Sequence, residues 1–323
     1  MQLLKKILNK FNGLHYKQEF LCIGKESFSE VLHIYLVKGN EAIQDLTFSH
    51  LFVGYNPLIL GFYPSEHVKE FRDKIELALS SALQPEQVLD EKIVLARLTL
   101  EKIKIIEEDR NIFIFYECKH GSHRFLSVFH QKILELNNRI HNNNPGNVFL
   151  KGNLLKQVQI AYAIPRVISL ITVGGNGNYN LFPTDLHGPV GDSFYLISLR
   201  QKGKACEQVE TCQKILLSEM DCEAYKSVYS LGKNHMQPMK SADHFPFQDK
   251  NSKVVGLPIP SHAIRYRELE LMNSFDHGIH RIHLFKILFF QKEVKSGTTL
   301  AHIHNTYATW RYNRGLPGNY LIR

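Results

Sequence analysis

Apolar positions along this chain fall in short runs separated by polar turns, and few of them repeat at the three- and four-residue spacing of an amphipathic helix. In the N-terminal half, the runs Phe20 to Ile23, Val31 to Val37, Leu58 to Tyr63, Ile93 to Leu100 and Ile112 to Tyr116 predict strands, while Glu66 to Leu83 and Ser127 to Ile140 predict helices. In the C-terminal half, Val167 to Val173, Phe194 to Leu199, Val228 to Leu231, Ile264 to Leu271 and Ile282 to Phe290 predict strands, and Cys206 to Ser218 a helix. The polar cluster HNNNPGN, His141 to Asn147, is the clearest seam, so the expected domains are residues 1–145 and 146–323. Many short strands with few helices point to β-barrels rather than to a parallel α/β sheet.

The two halves also resemble each other. A displacement of 136 positions lays Val31, Ile34, Val37 and Leu60 on Val167, Leu170, Val173 and Leu196 without a gap, and Gly39-Asn40 on Gly175-Asn176. Either the first half is a degenerate copy of the second, or two sets of hairpins slide into agreement. The Gly-rich stretch Val173 to Asn180 is read as a hairpin turn and not as a dinucleotide fingerprint, because the prolines that follow it leave no room for the required helix.

At 323 residues, 44% hydrophobic and 22% charged, the chain has the composition of a two-domain globular protein. Its formal net charge of +8 favours anionic ligands but is too diffuse to indicate nucleic acid. No apolar run approaches the ~18 residues of a spanning helix, so no membrane span is expected. The opening MQLLKKILNKF places Leu4, Ile7, Leu8 and Phe11 on one helical face, which reads as a packing helix or, alternatively, a membrane-surface helix. Five cysteines without a CxxC pair suit a reducing compartment, so a cytoplasmic location is expected.

The block from Ile164 to Val209 is the most informative. It reads Pro165, the strand Val167 to Val173, the turn Gly174 to Gly177, Asn180-Leu-Phe-Pro183, the strand Phe194 to Leu199 and the basic turn Arg200-Gln-Lys-Gly-Lys204. Further on come Gly278-Ile-His280 with its following strand, and Thr299 to Tyr307. In order and spacing this resembles the flavin reductase-like, FMN-binding split-barrel family over about residues 150–315. The resemblance implies a β-rich α+β chain whose C-terminal domain is an FMN-binding split β-barrel. It also implies hydride transfer from NADH or NADPH to FMN, a homodimer, and an acceptor such as free flavin, a partner protein or a monooxygenase.

The residues that the resemblance assigns to the cofactor are Asn180, Phe182, Pro183, Thr184, Asp185, Ser198, Arg200, Lys202 and Lys204. Physical chemistry agrees at one end, since a planar guanidinium beside ammonium groups suits a phosphate. Alone, such a run reads as a solvated basic turn; placed after this strand, the phosphate role is favoured. His280 is assigned near the nicotinamide as the catalytic residue; the plainer reading is a barrel-end histidine bonded to backbone. Three positions depart from the family pattern. Ala205 stands where a phosphate-binding Thr is usual, Thr184-Asp185 where a Ser is usual, and Ile279 where an acid is common. They keep open a non-catalytic flavin- or ligand-binding protein and a flavoredoxin-like electron carrier. A metal site at His277, His280 and His283, or at His302-Ile-His304, is disfavoured, because His280 and His283 on a strand face opposite ways, no cysteine is near and Asp276 is the only carboxylate close in sequence.

Overall fold

The computed structural model describes residues 13–25, 32–63, 70–83, 88–141, 150–292, 294–316, 318, 320 and 321. The expected N-terminal helix and most of the polar turn at 141–147 lie outside them. The chain forms two compact units. The first takes residues 1–21, 28–164 and 303–318, and the second takes 22–27, 165–302 and 319–323. The division after Ile164 lies beyond the polar turn that suggested a seam at 145/146, because the helix Leu154–Ala161 buries Leu155, Val158 and Ile160 in the core of the first unit.

After β1 (Phe20–Gly24), the first unit runs through β2 (His33–Lys38), β3 (Glu41–Asp45), β4 (His50–Tyr55), β5 (Leu58–Phe62), β6 (Lys74–Ser80), β7 (Val94–Glu108) and β8 (Asn111–His123). β2 to β8 form one antiparallel sheet in the order β3-β2-β6-β7-β8-β5-β4. Helices α1 (Val128–His141) and α2 (Leu154–Ala161) follow. Ile34, Leu36, Phe62, Leu77, Leu79, Leu98 and Tyr116 share its core, the alternate positions of paired strands facing one side.

The second unit contains β9 (Arg166–Val167), β10 (Ser169–Gly175), β11 (Asn178–Thr184), β12 (His187–Val190) and β13 (Phe194–Arg200), then α3 (Lys204–Cys212) and β14 (Lys214–Met220). An excursion through α4 (Tyr225–Ser230), the 3-10 turn Leu231–Met236, β15 (Lys240–Ser241), β16 (Phe247–Asn251) and β17 (Pro258–Pro260) leads to the long hairpin β18 (Ala263–His277) and β19 (His280–Gln291). β20 (Leu300–His304) pairs with β9 through Ala301 and Val167, and β21 (Tyr320–Leu321) with β1 through Leu321 and Cys22. The principal sheet has the order β12-β13-β19-β18-β14-β10-β11-β15. Asn176 and Gly177 both take positive φ between β10 and β11, the geometry of a tight hairpin, as the Gly-rich stretch predicted. Helix α5 (Asn305–Asn313) belongs to the first unit, and its Trp310 is buried in that unit's core, stacked on Tyr307.

Reversed, the second sheet reads β15-β11-β10-β14-β18-β19-β13-β12, so its seven strands after β15 match β3-β2-β6-β7-β8-β5-β4 one for one and in chain order. The agreement extends to detail. β6 and β14 each have 7 residues, and β7 and β18 each have 15. Register shifts fall at Leu79/Ser80 and Glu219/Met220, and within the hairpins at Thr99/Leu100 and Lys102/Lys104 against Glu268/Leu269 and Leu271/Asn273. These are the same positions counted from each strand's start. At matching paired positions, Lys74 lies 3.5 Å from Glu101 and Lys214 lies 3.2 Å from Glu270.

Three expected elements differ. The predicted helix at 66–83 contains the strand β6, and 66–69 lie outside the described residues. Its Leu, Ala and Glu residues favour helix, but β6 is paired on both sides, by β2 and β7, and that pairing decides. The helix predicted at 206–218 ends at Cys212, because Gln213 takes φ 61 and the apolar run beyond it enters the sheet centre as β14. The strand predicted at 228–231 is helical: Asp221 accepts from the Glu223 N–H at the start of this segment, and Val228 and Leu231 bury one side of it.

Candidate functional site

β13 and β19 pair so that Arg200 stands opposite His280. One strand step back, Ser198 Oγ lies 3.0 Å from His280 Nδ1. His280 is 1% exposed, and burial pushes its pKa down to about 4, assisted by the nearby Arg200 charge and opposed by Asp185. It is therefore a neutral imidazole at neutral pH, able to orient a partner but not to carry charge. Gln201 ties the tip of the hairpin to this strand end through the carbonyls of Gly278 and His280.

The other wall is β11. Asn180 is fully buried, and its amide is spent on protein: Nδ2 donates to Gln208 Oε1 at 2.7 Å and to the Asn234 carbonyl at 3.0 Å, while Oδ1 accepts from the Leu181 N–H. Phe182 is a core side chain whose ring lies 4.9 Å from that of His235. The Pro183 carbonyl accepts from His235 Nε2 at 2.7 Å, so His235 carries its proton there; burial is the main cause holding its pKa below the ordinary value. Thr184 is buried at the strand end, and Asp185 follows it. Oδ2 of Asp185 lies 2.9 Å from His302 Nδ1, and its backbone carbonyl accepts from Arg166 Nη2 at 3.2 Å.

The basic turn closes this end. Arg200, Lys202 and Lys204 are exposed, whereas Gly203 between them is buried and caps α3. An added Cβ at Gly203 would meet the carbonyls of Arg200 at 3.2 Å and His235 at 3.4 Å, so glycine lets the backbone run close here. Lys204 Nζ also reaches Glu207 at 3.3 Å. His280 and His235 thus each lie within electrostatic reach of Arg200 and of Asp185, with Ser198 bonded to His280 and Thr184 next to Asp185 in the chain. Asn180 and Phe182 belong to the scaffold behind them. His283 takes a separate partner, Nε2 lying 3.0 Å from Glu210 on α3, so the histidines of the 277–283 run do not converge. Among the described residues no group of three or more potential ligands could hold a metal ion, and no helix is long and apolar enough to cross a membrane.

Sequence reasoning passed over Arg166, His187 and His235 and considered His302 only as a metal ligand. No local signal marks them: His235 and His302 lie 52 and 117 residues from their partners Pro183 and Asp185. His187 Nδ1 lies 2.8 Å from Tyr195 Oη, and burial lowers its pKa to about 3.

Several solved structures are similar in part. The NADH:FAD oxidoreductase of Streptomyces globisporus C-1027 is 13% identical, covers 49% of this chain and 94% of its own, and has a TM-score of 0.41. An FMN-binding protein from Thermus thermophilus is 18% identical over 40% of this chain and 73% of its own, with a TM-score of 0.36. Flavoredoxin from Methanosarcina acetivorans is 12% identical over 40% and 70%, also at 0.36. No family model and no curated protein matches the chain.

Proposed function

We propose that the second unit, a split barrel, binds FMN with its phosphate at the Arg200–Lys204 turn, and that the protein is a flavin reductase using NADH or NADPH. The observation that carries this reading is the pairing of Arg200 with His280 across β13 and β19, which gathers a cation, a neutral imidazole and the Thr184-Asp185 end of β11 at one place. The turn fits a terminal phosphate: three exposed basic side chains surround a buried glycine at the start of α3, whose N-terminus no side chain caps. Bound FMN supplies hydride acceptance at its ring. Thr184 and Asp185 contact the ring edge, Ser198 fixes His280, and His280 orients the nicotinamide; Asn180 and Phe182 hold β11 in place from behind.

In this reading the first unit is a degenerate copy of the barrel, and the protein is a cytoplasmic homodimer that hands electrons to free flavin or a partner. A second reading, an electron carrier or non-catalytic flavin protein, is favoured by Ala205, a 1% exposed side chain with no hydroxyl at the head of α3. The visible spectrum of the purified protein with added FMN tests both. Bound flavin bleached by NADH or NADPH is expected for the reductase. Bound flavin that neither nucleotide reduces leaves the carrier, and protein that takes up no flavin refutes the proposal.

A further inference from the structure

Asp185 stands where an acidic group would oppose negative charge on the ring of a bound flavin, yet the structure gives this carboxylate a direct partner. His302 Nδ1 lies 2.9 Å from Oδ2, and both side chains are largely buried, at 11% and 22% exposed. The His302 ring packs against Tyr229 at 5.4 Å, which fixes its plane. The other charged and titratable groups that face Asp185 act differently. Arg166 spends Nε and Nη2 on the Asp185 backbone carbonyl. His187, His235 and His280 come from β12, the 3-10 turn after α4, and β19, and burial keeps all three toward the neutral form. Arg200 stands at the end of β13, opposite His280.

We propose that His302 is a positioning residue that offsets the Asp185 carboxylate, so that the pair, and not Asp185 alone, sets how well the site accepts negative charge on a reduced flavin. This rests on the flavin reading above. An imidazole N–H that donates to a carboxylate in a partly desolvated place draws on its negative charge and weakens its hold on neighbouring anions, whereas a carboxylate without that bond acts on a neighbouring anion with little screening. Asp185 and His302 are not part of the Arg200–Lys204 turn, so the effect is expected on the reduced flavin and not on the oxidised one.

The experiment is a dye-equilibrium redox titration of FMN-loaded protein, with the Kd of oxidised FMN measured alongside. His302→Leu, which removes the donor, should leave that Kd within about threefold and weaken reduced FMN at least tenfold relative to oxidised, a potential about 30 mV more negative for a two-electron couple. The double variant His302→Leu with Asp185→Asn should show no negative shift from wild type. An unshifted potential in His302→Leu, or a negative shift that persists in the double variant, overturns the proposal while leaving flavin binding intact. If His302→Leu does not fold, His302→Phe, which keeps a ring against Tyr229 but has no donor, decides on the same criterion. Wild-type protein that binds no FMN overturns the flavin reading itself, and this inference with it.

Discussion

Ser198 and His280 meet at 3.0 Å across β13 and β19, and this bond aligns the strand that ends in Arg200 with the strand that starts at His280. The first unit holds a counterpart: Asn111, first residue of β8, accepts from the Tyr63 hydroxyl at 2.7 Å, just beyond the end of β5. The same corner of the same strand order therefore carries a serine and an imidazole in one unit and a tyrosine and an amide in the other.

If the turn after β13 holds a phosphate, replacing Arg200 and Lys204 together with Ala should weaken FMN by roughly 2–4 kcal/mol, the loss of two charge-assisted bonds. Arg200 should account for most of it, because Lys204 is shared with Glu207. Fluorescence titration of FMN measures both, and an unchanged Kd in the double variant would remove these side chains from the site.

Acid should destabilise the fold before its carboxylates titrate. His123 and His280 have pKa values lowered to about 4, and His187 to about 3, mainly by burial. Unfolded, each returns to about 6.5, so the unfolded chain binds more protons below that pH and stability falls with it. Each histidine contributes on the order of 3 kcal/mol, present above pH 6.5 and lost by about pH 4 for His123 and His280 and by about pH 3 for His187. A melting temperature that stays constant between pH 7 and pH 5 would contradict this.

Glu268 on β18 is fully buried, and its carboxylate accepts the consecutive N–H groups of Lys253, Val254 and Val255. Glu268→Gln removes the charge and turns a donor toward donors, so it should cost about 2–3 kcal/mol of stability in the second unit. Urea unfolding measures it, and a change below about 0.5 kcal/mol would mean that the loop holds without the carboxylate.

Much of this architecture is legible in the sequence, because strands such as β5 and β13 announce themselves as apolar runs between turns. β6 and β14 do not: both lie inside a sheet with neighbours on either side, and a central strand rich in Leu, Ala and Glu has the composition of a helix. Of the candidate site, Arg200 and His280 are singled out in the sequence by the order and spacing of the family resemblance. His235 and His302 are not, since only the excursion after β14 and the return through β20 bring them to β11.

One chain is expected to carry a single flavin, held by the second unit. The displacement that matches the halves puts Gln44, Thr47, Ser49 and Pro64 where the second unit has Asn180, Pro183, Asp185 and Arg200, though Pro64 lies outside the described residues. The hydroxyl of Thr47 accepts the Ile34 N–H, and its own N–H donates to Asp45, so this corner is occupied by contacts within the first unit. Asn111 replaces the imidazole, and among the described residues no helix like α3 follows β5 to offer its N-terminus to a phosphate. The first unit has the same strand order with an apolar core, but among the described residues the end of β5 is followed by neither a matching cation nor a helix start of the kind a phosphate needs. One FMN per chain is therefore expected on release by denaturation, with Asn111→Ala leaving that stoichiometry unchanged and the Arg200 and Lys204 double variant reducing occupancy. Two equivalents per chain would show that the first unit binds by means its sequence does not reveal.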